Sequence, residues 1–396
     1  MGIELSAHDL KQKKASNYGR VDLMASMTHY NLPRTLTPLT PASMASGAAQ
    51  IPTTQDMLSG AVAYNVELFN GMATTRSIEI ASLQKEIMKN KQKLTKEQLI
   101  YNVQTLYNNI LAVESKAKAQ EAYIETLRDL HEKVLLRVQL GSAAELDALK
   151  SKADLSSAEA TLAQLHSNIA ILKDTLATVM MVPSVDNLQP YDVKVQSLSD
   201  DTQKYNKLIT QTTKAKLADL DVKKSKKGYE KASSVYYPKV SFNAMYGLNA
   251  GYNDDSNPRP DIFNSEDVWQ AGVDVKWNIF DFGAKASGVQ KSKIALIQSQ
   301  LQSQKTKREL QHSLYEALSK IDTAVAQYKS AQDTLSLVTQ TRKIEQIRYE
   351  SGASEINDLL YAQARYLMAQ SALIDAKYNY QNAKNYLDYI LEKGQK

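Results

Sequence analysis

The residues most able to ligate a metal or shuttle a proton are the five histidines, His8, His29, His131, His166 and His312, and the sequence scatters them. None stands at a spacing from another histidine or an acid that would close a metal site, and no nucleophile motif accompanies them. There is no cysteine, so disulfides, thiolate metal sites and thiol catalysis are excluded. No metal, cofactor or enzymatic activity is expected. Nucleic acid is not an expected partner either. The formal charge is only +5, and the densest basic stretch, Lys223-Lys224-Ser225-Lys226-Lys227, reads as a solvated helix face. What remains is two acids in matching contexts, Asp147 and Asp358, each six residues beyond a glycine, and the only two tryptophans, Trp269 and Trp277. An acid early in a helix favours the N-terminal end of its dipole, so the first question is which elements hold these groups.

Those elements must be long. Gly (14) and Pro (9) are used in 396 residues at about half the usual combined share of roughly 12%. Uninterrupted stretches run 72–140, 142–182, 191–227, 289–351 and 353–393, rich in helix formers. A helix over 72–140 would be roughly 100 Å long, whereas a compact domain of this size is about 40–50 Å across. Such helices belong in a bundle or tube. The stretch 142–182 carries a heptad, with Leu155, Leu162, Ile169 and Leu176 at one seam position and Ala158, Leu165, Leu172 and Val179 at the other. An ungapped offset of 211 residues brings up a second set, Tyr366, Leu373, Tyr380 and Leu387 with Ala369, Ala376, Ala383 and Ile390. The same offset superposes Gly141 on Gly352, Arg137 on Arg348, Asp147 on Asp358 and Asn70 on Asp281. This is a duplication, and the chain divides into repeats at 1–183 and 184–396.

Each repeat also holds a region that is not helical. Trp269, Ala271, Val273, Val275, Trp277 and Ile279 alternate with Gln270, Gly272, Asp274, Lys276 and Asn278, the period-two pattern of a strand over about 269–280. Val240, Phe242, Ala244 and Tyr246 predict its partner over about 239–247, and the first repeat supplies weaker equivalents near 20–28 and 61–69. Helices are expected over 72–140, 142–182, 191–232, 284–351 and 353–393. Trp269 and Trp277 are eight residues apart, about 26 Å of strand. That is close to the apolar band of roughly 25 Å, edged by aromatic residues, that outer-membrane barrels present to lipid. Four strands cannot close such a barrel, but three chains together supply twelve.

In the tandem repeat, the strand-to-helix junctions Leu68-Phe69-Asn70-Gly71 and Ile279-Phe280-Asp281-Phe282-Gly283, and the tips at Gly141 and Gly352, the sequence resembles the TolC-like outer-membrane efflux factors over essentially its whole length. The resemblance implies a mainly α, α+β fold. In it two helix-strand-strand-helix repeats form, as a homotrimer, a twelve-stranded transmembrane β-barrel continued by an α-helical periplasmic tunnel. It implies a passive conduit in the outer membrane of a Gram-negative bacterium, reaching into the periplasm and serving a tripartite efflux pump. The partners would be outer-membrane lipid, a periplasmic adaptor (membrane fusion) protein and an inner-membrane transporter. An exit duct for type I protein secretion and a soluble coiled-coil scaffold are the alternatives.

By the same resemblance the adaptor docks on Gly141, Ser142, Gly352 and Ala353, and a periplasmic gate involves Asp358, Asp147 and Tyr349. The family's second constriction acid falls on Tyr361, and the Arg partner of its latch falls on Ser354. Trp269, Val273, Trp277, Val240 and Phe242 are expected to face lipid, and Asp274, Lys276 and Asn278 the lumen. The segment Met1–Asp9 is polar, without the apolar core of a signal peptide. Only about fifteen residues precede the first strand, so most of one helix is expected to be missing from the first repeat.

Overall fold

The computed structural model describes residues 1–47, 50–197 and 202–394. The chain forms two compact units, Met1–Asn90 with Leu217–Ser303, and Lys91–Lys216 with Gln304–Lys396.

The first unit is built on a sheet of β1 (Arg20–Thr35), β2 (Thr53–Phe69), β3 (Lys239–Tyr252) and β4 (Phe263–Lys276). The strands lie in the order β1-β2-β3-β4 and every pair is antiparallel. Helix α1 (Gly2–Ala15) precedes the sheet, and the short α2 (Pro41–Ala45) lies in the first hairpin loop. At their loop ends the strands are longer than the alternation predicts. The ladder needs only backbone partners, so it continues where side chains turn polar, as at His29 opposite Asp56 and Asn249 opposite Ser59. Pro33 is tolerated in β1 because it sits on an edge strand, inside the register shift between His29 and Arg34. At the other end β4 stops at Lys276 and not near 280. Lys276 pairs with Lys239, the first residue of β3, and the preceding Pro238 has no N–H to extend the ladder.

Two long helices leave the sheet, α3 (Ala73–Gln139) after β2 and α7 (Ala284–Glu350) after β4. Both junctions use the same device at an offset of 211. The Asn70 side-chain oxygen accepts from the Thr74 N–H at 3.3 Å, and Asp281 accepts from the Lys285 N–H at 2.9 Å. Two consecutive residues turn left-handed, Gly71 and Met72 in one case, Phe282 and Gly283 in the other. Glycine relieves one of the two positions in each repeat, but not the same one.

The second unit holds the remainder of α3 and α7 with α4 (Glu145–Met180), α5 (Thr202–Thr210) and α8 (Ile356–Ile390). One apolar cluster gathers Leu111, Leu314, Ile321 and Tyr378, and another Leu127, Val134, Leu155 and Leu360. The heptad residues Leu155, Ala158, Leu176, Ala369, Ala376 and Leu387 are buried, as the seam requires.

The single helix expected over 191–232 is not observed. Tyr191–Ser197 is irregular, helix resumes at α5, and α6 (Thr213–Ser233) is separate; residues 198–201 lie outside the described residues. The irregular segment is held by side chains. Tyr191 donates to Asn108 at 2.5 Å, and the Tyr380 hydroxyl meets both the N–H and the carbonyl of Gln196. The α5–α6 break falls where the Thr212 hydroxyl donates to the Ile209 carbonyl at 2.8 Å and accepts from the Ala215 N–H. Such local bonds compete with continuation of a helix.

Candidate functional site

The register of the first unit sorts its residues onto two faces. Val240 lies opposite Val275, Phe242 opposite Val273, Tyr246 opposite Trp269 and Leu23 opposite Val62, so these apolar residues share one face. The other face carries Asp274 opposite Ser241 and Lys276 opposite Lys239. The Asn243 amide donates to the Asp274 carboxylate across that polar face. The expected lipid-facing Trp269, Val273, Val240 and Phe242 therefore fall together, and Asp274 and Lys276 fall on the opposite side.

Trp277 and Asn278 do not belong to either set, because the strand has ended. The Trp277 indole N–H donates to the Tyr236 carbonyl at 3.1 Å, and the Asn278 carbonyl accepts from the Lys285 ammonium. The eight-residue spacing of the tryptophans therefore measures from mid-strand to the strand–helix junction. The apolar face is bare, with Leu23 83% and Trp269 74% exposed. Burying one such side chain is worth about 1.5–3 kcal/mol, so a row of them demands a cover. Both edges are open too, since among the described residues β1 pairs only with β2 and β4 only with β3.

The helical tips lie in the second unit. At the end of α3 the Ser142 N–H donates to the Arg137 carbonyl and the Gly141 N–H to Val138. At the end of α7 the Ala353 N–H donates to Arg348 and the Gly352 N–H to Tyr349. These are Schellman closures, with Gly141 at φ +72° and Gly352 at φ +76°. Gly141, Ser142, Gly352 and Ala353 are all exposed. Asp147 and Asp358 are each the third residue of their helix, after Ala144 and Glu355, whose side chains make no cap bond. Both acids thus lie in the first turn, where the helix dipole favours a negative charge.

Among the described residues of one chain Tyr349 makes no bond to either acid and packs instead against the second apolar cluster. The guanidinium of Arg137 stands 5.1 Å from the centre of its ring and also donates to the Glu350 carbonyl at 3.4 Å, so α3 and α7 are joined at their ends. The equivalent Arg348 turns to Glu345 of its own helix at 2.8 Å. Beside it a cavity of about 400 Å³ is lined by Glu345, Arg348, Asp358, Tyr361 and Arg365 among others. Two carboxylates and two guanidiniums face this space. Close by, Arg342 lies 4.0 Å over the Tyr366 ring. The buried Arg342 Nε, Glu345 Oε2 and Ser354 Oγ have no hydrogen-bond partner among the described residues.

The arginine contacts were not anticipated from the sequence. The available signal was Arg-x-x-x-Gly at both tips, which places an arginine one turn before each reversal. Two histidines do meet an acid, His29 with Asp56 at 2.8 Å and His166 with Glu121 at 3.6 Å. Among the described residues no three metal-ligating side chains converge, and no helix is long and apolar enough to cross a membrane.

The sequence matches the profile of the outer membrane efflux protein family over residues 3–180 and 211–391. No curated protein matches it. Among solved structures it is similar to the outer membrane protein VceC of Vibrio cholerae, with TM-score 0.79 and 15% identity over 98% of this chain and 90% of that one. The CmeC outer membrane channel of Campylobacter jejuni gives 0.79 and 16%, over 99% of this chain and 81% of that one. The open state of the MtrE outer membrane channel of Neisseria gonorrhoeae gives 0.78 and 15%, over 99% and 84%. At these identities the likeness is one of fold.

Proposed function

Because the chain belongs to the outer membrane efflux protein family, and so to the outer membrane, we propose that it is the channel subunit of a tripartite efflux pump. Three copies form a passive conduit that carries small molecules outward from the periplasm and the pump. The carrying observation is the sheet of the first unit, apolar and bare on one face, polar on the other, and open at both edges. An open edge is not tolerated in lipid, where every backbone group must find a partner within protein. Pairing β4 of one copy with β1 of the next closes twelve strands and removes every edge. Trp269, Val273, Val240 and Phe242 then face lipid, while Asp274 and Lys276 line the lumen. The repeated junctions at Asn70 and Asp281 and the paired tip closures support a division into two repeats near 183/184.

In this reading the tips form the periplasmic mouth. Gly141, Ser142, Gly352 and Ala353 offer exposed backbone to an adaptor protein. Asp358, with Asp147 and Tyr349, lies at the constriction, and Arg137 holds Tyr349 while the mouth is closed. Export is driven by the inner-membrane transporter. Planar-bilayer recording of the purified protein tests the reading. Discrete, long-lived conductance steps are expected, more often in Arg137→Ala than in wild type; a protein that inserts and conducts in neither form would refute the conduit.

A further inference from the structure

Charge is not spread evenly over the first unit. Its helical segments, 1–19, 70–90, 217–238 and 277–303, carry 14 Lys and Arg against 8 Asp and Glu, a net of +6. Its sheet and hairpin loops, 20–69 and 239–276, carry 5 against 9, a net of −4. The sign changes at the strand–helix junction, and exposed aromatic residues mark the same level: Tyr18, Tyr236, Tyr237, Trp277, Phe280 and Phe282. Phe282 is 92% exposed. Aromatic rings gather where a bilayer's hydrocarbon meets its headgroups.

Part of the basic charge is already neutralised. Arg76 and Lys227 are bound to Glu79 and Glu230. In contrast, Lys13, Lys14, Lys223, Lys226 and Lys231 are exposed and make no ion pair among the described residues. Measured back from the end of α6 at Ser233, Lys231, Lys226 and Lys223 stand about 3, 10 and 15 Å away, at 1.5 Å per residue. A headgroup layer is roughly 5–8 Å deep. Lys231 is therefore within it, Lys226 at its margin, and Lys223 about one screening length beyond.

Resting on the outer-membrane reading above, we infer that this aromatic-then-basic collar binds anionic phospholipid headgroups of the periplasmic leaflet. The rings fix the depth of the junction, and the unpaired lysines select negative headgroups over zwitterionic ones. The apolar face of the sheet has no such selectivity, because acyl chains are alike.

The test is native mass spectrometry of the intact, detergent-extracted assembly after exposure to equimolar phosphatidylglycerol and phosphatidylcholine. Phosphatidylglycerol should be retained preferentially, and its retention should fall with added salt. A lysine near an anionic surface is worth roughly 1 kcal/mol, about fivefold. The triple variant Lys223→Gln, Lys226→Gln, Lys231→Gln should lose at least about tenfold of that preference, because two of its lysines act at close range. Lys13→Gln with Lys14→Gln is a milder second variant should the triple not assemble. Lys329→Gln with Lys343→Gln, from the second unit, should retain the lipid unchanged. Soluble glycerol 3-phosphate should not displace it; displacement would mean a free-phosphate site instead. Equal retention of the two lipids, or undiminished preference in both collar variants, overturns the inference. Conductance and oligomeric mass of the same samples report separately on the channel reading, so either idea can fail alone.

Discussion

Replacing Arg137 by alanine should loosen the closed mouth, and the structure sets the size of the effect. The guanidinium is half-buried and lies 5.1 Å from the centre of the Tyr349 ring. A contact of that kind contributes about 0.5–1 kcal/mol. Its bond to the Glu350 carbonyl, at 3.4 Å, is longer than a strong hydrogen bond and adds only a few tenths. The tether is thus worth roughly 1 kcal/mol per chain, and roughly 3 kcal/mol when three copies must part together. Because 1.36 kcal/mol is a factor of ten, the closed-to-open ratio should fall about a hundredfold in Arg137→Ala. The assay is open probability in planar bilayers. Tyr349→Phe keeps the ring and should behave nearly as wild type, whereas Tyr349→Ala should match Arg137→Ala without adding to it in the double variant. Arg348→Ala removes an ion pair internal to α7 and should leave gating alone. Equal opening from Arg348→Ala, or full additivity of the Arg137 and Tyr349 changes, would show that Arg137 does not hold the mouth through Tyr349.

Four further outcomes are expected. Asp358→Ala removes one carboxylate per chain from beside the tip cavity and should weaken block of the pore by divalent cations, read as a higher blocking concentration in the same recordings. Gly352→Ala meets open space, so only its φ of +76° is penalised, at roughly 1 kcal/mol, and thermal melting should register the loss. Met181→Gly is the converse case: Met181 closes α4 at φ +55° in the same Schellman geometry, and glycine there should raise the melting temperature. Hydrogen bonds from Arg76, then from Lys227, hold the Glu79 carboxyl below its ordinary 4.5. A carboxyl lowered on folding stabilises the fold above that ordinary value and loses the contribution as pH falls below it. Melting curves of wild type should therefore fall faster below pH 4.5 than those of Glu79→Gln, by a small margin because the half-buried group is still screened by solvent.

Much of this architecture was legible because it rests on local rules. Long stretches without Gly or Pro gave helices, and the heptad gave their buried seam. The offset that superposed Gly141 on Gly352 also superposed their bond patterns. Period-two alternation found the four strands and sorted Trp269 from Asp274. It failed at the ends of strands for a physical reason. A ladder is a backbone property, so polar residues such as Asn249 can continue it, and the missing N–H of Pro238 can stop it beside a pattern that runs on through Trp277.

The helix expected over 191–232 failed differently. Nothing in residues 191–197 forbids helix locally, and their irregular course depends on Asn108 and Tyr380, far away in sequence. The tip contacts of Arg137 and Arg342 were hidden for the same reason. Which ring a long cationic side chain covers is decided by the packing of α3, α7 and α8, not by spacing along one helix. The acids Asp147 and Asp358 were visible as a repeated pair, and their placement in the first turn follows from the tip closures that precede them.

The claim on which the rest depends is that three chains share one barrel. It is tested most directly by light scattering of the detergent-extracted protein, with the mass corrected for bound detergent. A single species near three times 44.1 kDa is expected. A monodisperse monomer that stays in solution without detergent would contradict it, because the bare apolar face and both open edges of the sheet would then need no cover.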